Sequence, residues 1–213
     1  MKIALFGATG TIGARILKEA TDRGHEVTAI SRDPAKVTLS GAKVKKAGGD
    51  VLNAADVARA VAGHDVVVSA VGPKLPGGDP AMLVEAARAL HQGLMQAKVK
   101  RLAIVGGAGS LEVAPGRMLM DSPEFPAAWR PLAAAHYEAL KVYRSITDLD
   151  WSYLSPAGFI EPGMRTGKYR TGGEQLVVDA SGKSYISAED YAIAVLDELE
   201  HPSHIRQRFA VAY

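Results

Sequence analysis

The sequence predicts an α/β protein built as one doubly wound parallel sheet of Rossmann type. Three observations predict it. Short β-rich runs alternate with longer stretches whose apolar residues recur at helical spacing. The run DVVVSAVG, residues 65–72, has a continuous apolar core, as a strand covered on both faces requires. Three glycines, Gly7, Gly10 and Gly13, stand where the first strand meets the first helix. A chain of 213 residues has room for one sizeable domain. Residues 1–213 read as that single unit, with the portion from about 150 onward supplying the substrate side.

The elements follow in order. Residues 2–7, KIALFG, are an apolar run ending in glycine and read as a buried strand. In TIGARILKEATDRG, 11–24, Ile12, Ile16, Leu17 and Ala20 fall at helical spacing and Gly24 stops the helix. EVTAIS, 26–31, is the second strand and 42–50 a weaker third. NAADVARAVAG, 53–63, reads as a helix capped by Asn53 and ended by Gly63. After the fourth strand at 65–72, residues 80–99 form a helix with Pro80 in its first turn. RLAIVGGAG, 101–109, is a fifth strand running into a glycine-rich loop, and a helix is expected over about 127–147. DWSYLSPAGFI, 150–160, is the sixth strand. The chain closes with a strand near 176–179, a helix at 187–200 and a strand near 207–212.

Such alternation joins parallel strands by right-handed crossovers. Ligands of these sheets bind at the carboxyl ends of the strands, where strand order reverses. The segments 73–79, 111–126 and 161–175 all follow strands and are expected over that edge. The last has the glycine and charge content of a mobile loop.

Composition removes several classes of function. The chain has no cysteine, which excludes disulfides, thiolate catalysis and cysteine metal sites. His201 and His204 have no third ligand nearby in sequence, so no metal is expected. No Gly-x-Ser-x-Gly elbow is present. The 25 basic and 23 acidic residues are scattered, and the one dense run, Lys43, Lys45 and Lys46, reads as a solvated strand edge. Neither nucleic acid nor membrane is an expected partner; a small-molecule substrate is. The sequence carries no signal for an oligomeric state. Met1-Lys2 leads straight into a strand with no leader pattern, and no apolar stretch approaches membrane length, so the expected location is the cytoplasm.

The glycine turn carries the functional reading. Gly7 permits a tight exit from the strand, Gly10 a close approach of the backbone to a pyrophosphate, and Gly13 close packing of the helix on the sheet. The amides of Thr11 and Ile12 direct the positive end of the helix at the phosphates. Together with Thr9, these residues are the expected cradle of a dinucleotide. The first glycine interval is one residue longer than in G-x-G-x-x-G, and no Lys-Ser/Thr pair makes it a P-loop. At the end of the second strand stands Ser31-Arg32-Asp33-Pro34. Asp followed by Pro reads as an N-cap and the first residue of a helix, which leaves Ser31 and Arg32 facing the ribose. A guanidinium there suits the 2′-phosphate of NADP, so NADPH is the expected cofactor.

GATGTIG, with SRDPAKV, GDVLN and SAVG, resembles the short-chain dehydrogenase/reductase superfamily. More closely, the chain resembles its small atypical branch of NmrA-like NAD(P)H-binding proteins, NADH-flavin reductases and biliverdin-IXβ reductases. DWSYLSPAGFIEPGMRTGKYR and ISAEDYAIAVLDELE look like the same branch. The resemblance implies that Asp50 and Val51 lie beside the adenine, although Asp50 also suits a cap for the next helix. It implies that Ala70, Val71 and Gly72 run along the phosphate–ribose bridge. Ser155, Pro156 and Ala157 are implied near the nicotinamide carboxamide.

The superfamily uses Tyr-x-x-x-Lys as its acid. Tyr137 to Lys141 spell that spacing, but Pro156 follows about three helical turns too soon for the family arrangement. HYEALKVYR instead resembles the corresponding helix of the biliverdin/flavin reductase type, which lacks a catalytic tyrosine. Ser110 stands where the superfamily places its substrate-orienting serine and is the catalytic candidate; it also suits bonding to its own loop. His136 is placed either in the same cleft or against the loop. Phe159, Arg165 and Tyr169 are candidates for a substrate wall. The reading is an NADPH-dependent oxidoreductase that passes hydride to a planar acceptor such as a flavin. The alternatives are an NADP(H)-binding redox sensor without turnover and a sugar-nucleotide epimerase.

Overall fold

A computed structural model describes residues 1–74 and 77–213. In chain order its elements are β1 (Lys2–Phe6), α1 (Thr11–Asp22), β2 (Glu26–Ser31), β3 (Val44–Gly48), α2 (Ala54–Val61), β4 (Val66–Ser69), α3 (Met82–Ala97) and β5 (Arg101–Val105). There follow β6 (Glu112–Ala114), β7 (Arg117–Met118), α4 (Arg130–Ser145), β8 (Asp150–Pro156), β9 (Phe159–Glu161), β10 (Arg170–Gly172), β11 (Tyr185–Ser187), α5 (Ala188–Glu200) and β12 (Gln207–Ala212).

Among the described residues the main sheet has eight strands in the order β10-β12-β8-β5-β4-β1-β2-β3. All its pairings are parallel except β10 on β12, where Arg170 lies opposite Ala212. The doubly wound class is therefore the observed one. Order reverses between β1 and β4, which places the switch point at the end of β1. α1 and α5 cover one face and α2, α3 and α4 the other. Buried Ile16, Leu17 and Ala20 seat α1 on the sheet beside Tyr191 and Val195 of α5. On the opposite face Leu90 and Leu94 of α3 meet Leu140 and Tyr143 of α4. The strands between are buried on both sides, which is why β4 carries three consecutive valines.

Local signals hold where a side chain satisfies a helix end. Asn53 accepts from the amides of Ala55 and Asp56 and starts α2, and Asp33 accepts from Ala35 to start the single turn Pro34–Lys36. Three expectations are corrected. No strand forms at 176–179; the edge strand is β10, earlier in the chain. Within 111–126 lies a short hairpin, β6 with β7. Of the loop 73–79, residues 75 and 76 lie outside the described residues.

The third correction concerns 161–175, expected as a mobile loop over the binding edge. It is a pinned strap. Gly163 N–H donates to Glu189 at 2.7 Å, and the amides of Thr166 and Gly167 each donate to Asp190 Oδ1 at 2.8 Å. Arg165 grips Glu19 of α1 with two bonds, 2.9 and 2.8 Å, and the Tyr169 hydroxyl donates to Asp197 at 2.6 Å. Glu189 and Asp190 lie in the first turn of α5 and Asp197 in its last. The strap thus descends the groove between α1 and α5, away from the carboxyl edge, until β10 joins the sheet.

Asp190 is fully buried and also accepts from the Tyr213 hydroxyl. Burial alone would raise its carboxyl, but the donors from Thr166, Tyr213 and Gly167 outweigh it and hold the pKa below the usual carboxylate value. Its contribution to stability is therefore complete above the unfolded aspartate value of about 4 and is lost as pH falls through the lower folded value. Asp190→Ala is expected to lower unfolding free energy at pH 7 by about 3 kcal/mol. Urea denaturation between about pH 5 and 2 should show the variant losing less stability with acid than the parent does.

Candidate functional site

The site is built on the turn from β1 to α1. Gly7 has φ +82°, and a Cβ on it would stand 2.3 Å from the Ala70 carbonyl oxygen. A Cβ on Gly13 would stand 2.1 Å from the Gly7 carbonyl oxygen. Only glycine allows either approach. Gly10 is different: its Cβ would meet nothing closer than 3.4 Å and would project beside an open cleft. Gly10 is also the N-cap residue of α1, and no side chain caps that helix. The first-turn amides of Thr11, Ile12 and Gly13 thus have neither a helical carbonyl nor a capping side chain as acceptor.

Over this turn lies a cavity of about 430 Å³. Gly7, Thr9 and Gly10 form its floor, Ala70, Val71 and Gly72 one wall, and Ser31, Arg32, Asp50 and Val51 the other. Ten of the expected cofactor residues therefore share one cleft, with Thr11, Ile12 and Gly13 beneath it. Arg32 is exposed, and among the described residues its guanidinium has no hydrogen bond or ion pair. Its neighbours are committed. The Ser31 hydroxyl pairs with the Asp33 backbone, and Asp33 caps the following turn at 3.3 Å. Asp50 accepts from Leu52 N–H at 3.0 Å, while Asn53 takes the cap of α2. A cradle closed to side chains, a bare helix end and an unpaired cation together fit an anionic dinucleotide.

Sequence reasoning missed Lys74, Asp79 and Met82, which complete the cleft beyond β4. Lys74 had a legible signal: it is the first cation after the small-residue exit from that strand.

The substrate side departs further from expectation. Ser110 is buried, and its hydroxyl accepts from Arg208 at 2.8 Å, an arginine that also holds the Ser110 carbonyl and Glu174. It anchors the loop instead of facing the cleft. Arg165 and Tyr169 are spent on Glu19 and Asp197 in the strap. Phe159 is 58% exposed and stacks on Tyr185 with centroids 6.1 Å apart, near the exit of β8. Ser155 and Ala157 are buried, and the Ser155 hydroxyl has no partner among the described residues. With Pro156 they stand two strands beyond β4, outside the cleft wall. Lys141 lies 4.6 Å over the Tyr137 ring and pairs with Glu138 at 2.6 Å on the exposed side of α4. His136 lies on the same helix against Gly107, and burial pushes its imidazole down to about 4.

No helix among the described residues is long and apolar enough to cross a membrane, and no group of three metal-ligating side chains occurs among them.

The model of a family described as NAD(P)H-binding matches residues 7–202. A Bacillus subtilis protein, YwnB, itself uncharacterised, is 48% identical over 99% of this chain and 98% of its own. A Bacteroides thetaiotaomicron structure with the provisional name of epimerase is 41% identical, covering 100% of this chain and 96% of its own, with a TM-score of 0.91. A Streptococcus pneumoniae structure provisionally named an NADH-flavin reductase is 34% identical, covering 100% and 99%, with a TM-score of 0.87.

Gly13 and Gly10 should separate experimentally. Gly13→Ala is expected to cost about 3 kcal/mol or to prevent folding. Gly10→Ala should keep the melting temperature within about 3 °C, because its methyl group meets no clash. The same methyl group should weaken dinucleotide binding about tenfold or more, read by calorimetry.

Proposed function

The chain belongs to the NAD(P)H-binding family, and on that footing we propose that it is an NADPH-dependent oxidoreductase delivering hydride to a planar acceptor such as a flavin. The observation that carries the reading is Arg32: an unpaired guanidinium on the ribose side of a dinucleotide cleft, beside an aspartate already used as a cap. A free guanidinium bonds a 2′-phosphate in two places and stacks on adenine. The amides of Thr11 and Ile12 and the backbone of Gly10 would hold the pyrophosphate, with Lys74 adding a second positive charge. Ala70, Val71 and Gly72 leave room for the bridge. The exit of β8 at Ser155, Pro156 and Ala157 would lie toward the nicotinamide end, and exposed Phe159 beyond it would stack on the acceptor. When bound, the reduced nicotinamide supplies the hydride.

The acceptor class follows from proton supply. Lys141 pairs with Glu138 on the exposed side of α4, Tyr137 is half-buried against the core and does not line the cleft, and Ser110 is tied to Arg208. This leaves no strong acid at the cleft, which suits a ring that takes its proton from water better than a carbonyl that needs one from the protein. The name carried by the Streptococcus pneumoniae relative agrees with a flavin; Arg32 argues for NADPH over the NADH in that name. The Bacteroides thetaiotaomicron relative motivates a second reading, epimerisation of a sugar nucleotide. Against it, the strap lies along α1 and α5 and leaves little chain to enclose a second nucleotide. The oxidoreductase reading places the protein in the cytoplasm, which maintains reduced pyridine nucleotide.

The test is NADPH oxidation with FMN, riboflavin and quinones, run beside NADH. NADPH should be preferred about tenfold or more, and Arg32→Ala should raise its KM by about 10- to 100-fold while NADH is nearly unaffected. A clear preference for NADH would contradict the assignment. Tight binding without turnover would point to a redox sensor.

A further inference from the structure

Arg15 of α1 and Glu189 of α5 join the first turns of their two helices. The Arg15 guanidinium donates from Nη1 to the Thr11 carbonyl oxygen at 2.8 Å and from Nε to Glu189 Oε1 at 2.7 Å. Glu189 Oε2 accepts from the Gly163 amide of the strap at 2.7 Å. Burial acts to raise the Glu189 carboxyl, but the Gly163 amide and Arg15 outweigh it and hold its pKa below the ordinary glutamate value. One carboxylate thus serves both the helix that starts the dinucleotide cleft and the strap that follows the substrate side.

Both ends of this relay reach the site. Gly163 stands just past β9, and a Cβ on it would lie 3.2 Å from Tyr185 Oη and 3.0 Å from the Ser187 Cβ. Tyr185 is the register partner of Phe159 and stacks on its ring. At the other end, the Thr11 carbonyl and the Ile12 amide belong to one rigid peptide group. That amide is one of the bare donors at the start of α1. An anion accepting from it polarises the peptide and makes the Thr11 oxygen a stronger acceptor for Arg15. The middle of the strap is held separately by Glu19 and Asp190, so Gly163, the end nearest Phe159, is the part that depends on Glu189.

We propose that Arg15 and Glu189 are positioning residues that couple the two halves of the site. A diphosphate seated on α1 tightens the Gly163 end of the strap, and with it the Phe159–Tyr185 pair that would receive the acceptor. The inference rests on the cofactor reading above. Neither residue lines the dinucleotide cleft. Such coupling is reciprocal, so a planar molecule stacked on Phe159 also tightens the diphosphate.

Amide hydrogen exchange followed by NMR reads the Gly163 hydrogen bond directly. The probe is 2′-phospho-ADP-ribose, which lacks the nicotinamide and so cannot itself touch the acceptor. At saturation it should slow Gly163 exchange about 3- to 10-fold in the parent, the worth of one hydrogen bond. Thr166, held by Asp190, should keep its rate. Arg15→Ala removes the relay, and Gly163 should then ignore the probe; Arg15→Lys should recover part of the response. By calorimetry FMN should bind the parent about threefold or more tightly when the probe is present, and Arg15→Ala equally with and without it. The proposal is overturned if Gly163 exchange or FMN affinity in the parent does not respond to the probe, or if Arg15→Ala responds as the parent does. A parent that gives no heat with the probe overturns the cofactor reading and this inference with it; heat without a change at Gly163 overturns the inference alone.

Discussion

The first turn of α1 rests directly on the backbone of the strand that feeds it, and much of the structure depends on that contact. A methyl group at residue 13 would lie 2.1 Å from the Gly7 carbonyl oxygen, and one at residue 7 would lie 2.3 Å from that of Ala70. Without side chains at these two points β1 can turn, α1 can sit down on the sheet, and β4 can pass alongside. Gly10, the N-cap between them, offers no capping side chain and leaves the helix start bare. A protein that had filled positions 7 and 13 would have lost the close packing, and one with a capping side chain at position 10 would have used the first-turn amides on itself.

Charge is distributed in two contrasting ways around this turn. Behind it, on the α1–α5 face, nearly every charge is satisfied: Glu19 binds Arg23 and Arg165, and Arg23 also binds Asp197 and Glu200. Hydrogen bonding from Arg165 is the chief reason Glu19 ionises more readily than an ordinary carboxyl. This network fastens the strap and explains why two residues chosen as substrate contacts, Arg165 and Tyr169, are structural. In front of the turn Arg32 has no such partner. The cations of the α1–α5 face are paired within the chain; Arg32 at the cleft has no acid partner among the described residues.

Legibility tracks the range of the interaction. Asn53 and Asp33 cap helices within three residues of themselves, so their roles were readable from spacing. The glycine turn was readable because its function is local and steric. The strap was not, because its anchors Glu19 and Asp190 lie 146 and 24 residues away from Arg165 and Thr166. Ser110 failed for the same reason: its partner Arg208 stands 98 residues further on. A polar residue in a glycine-rich loop looks the same in sequence whether it faces a ligand or a buried guanidinium. His136 was legible only as an alternative, since the deciding neighbours are Gly107, just past β5, and Tyr153, in the middle of β8.

The central claim is that a diphosphate carrying a 2′-phosphorylated ribose seats on the bare end of α1 beside Arg32. Isothermal titration with 2′-phospho-ADP-ribose, the part of the cofactor without its nicotinamide, tests this apart from any chemistry. The account predicts saturable one-to-one binding that weakens by about tenfold or more when the 2′-phosphate is removed. No heat with either compound, or equal affinity for both, would contradict it.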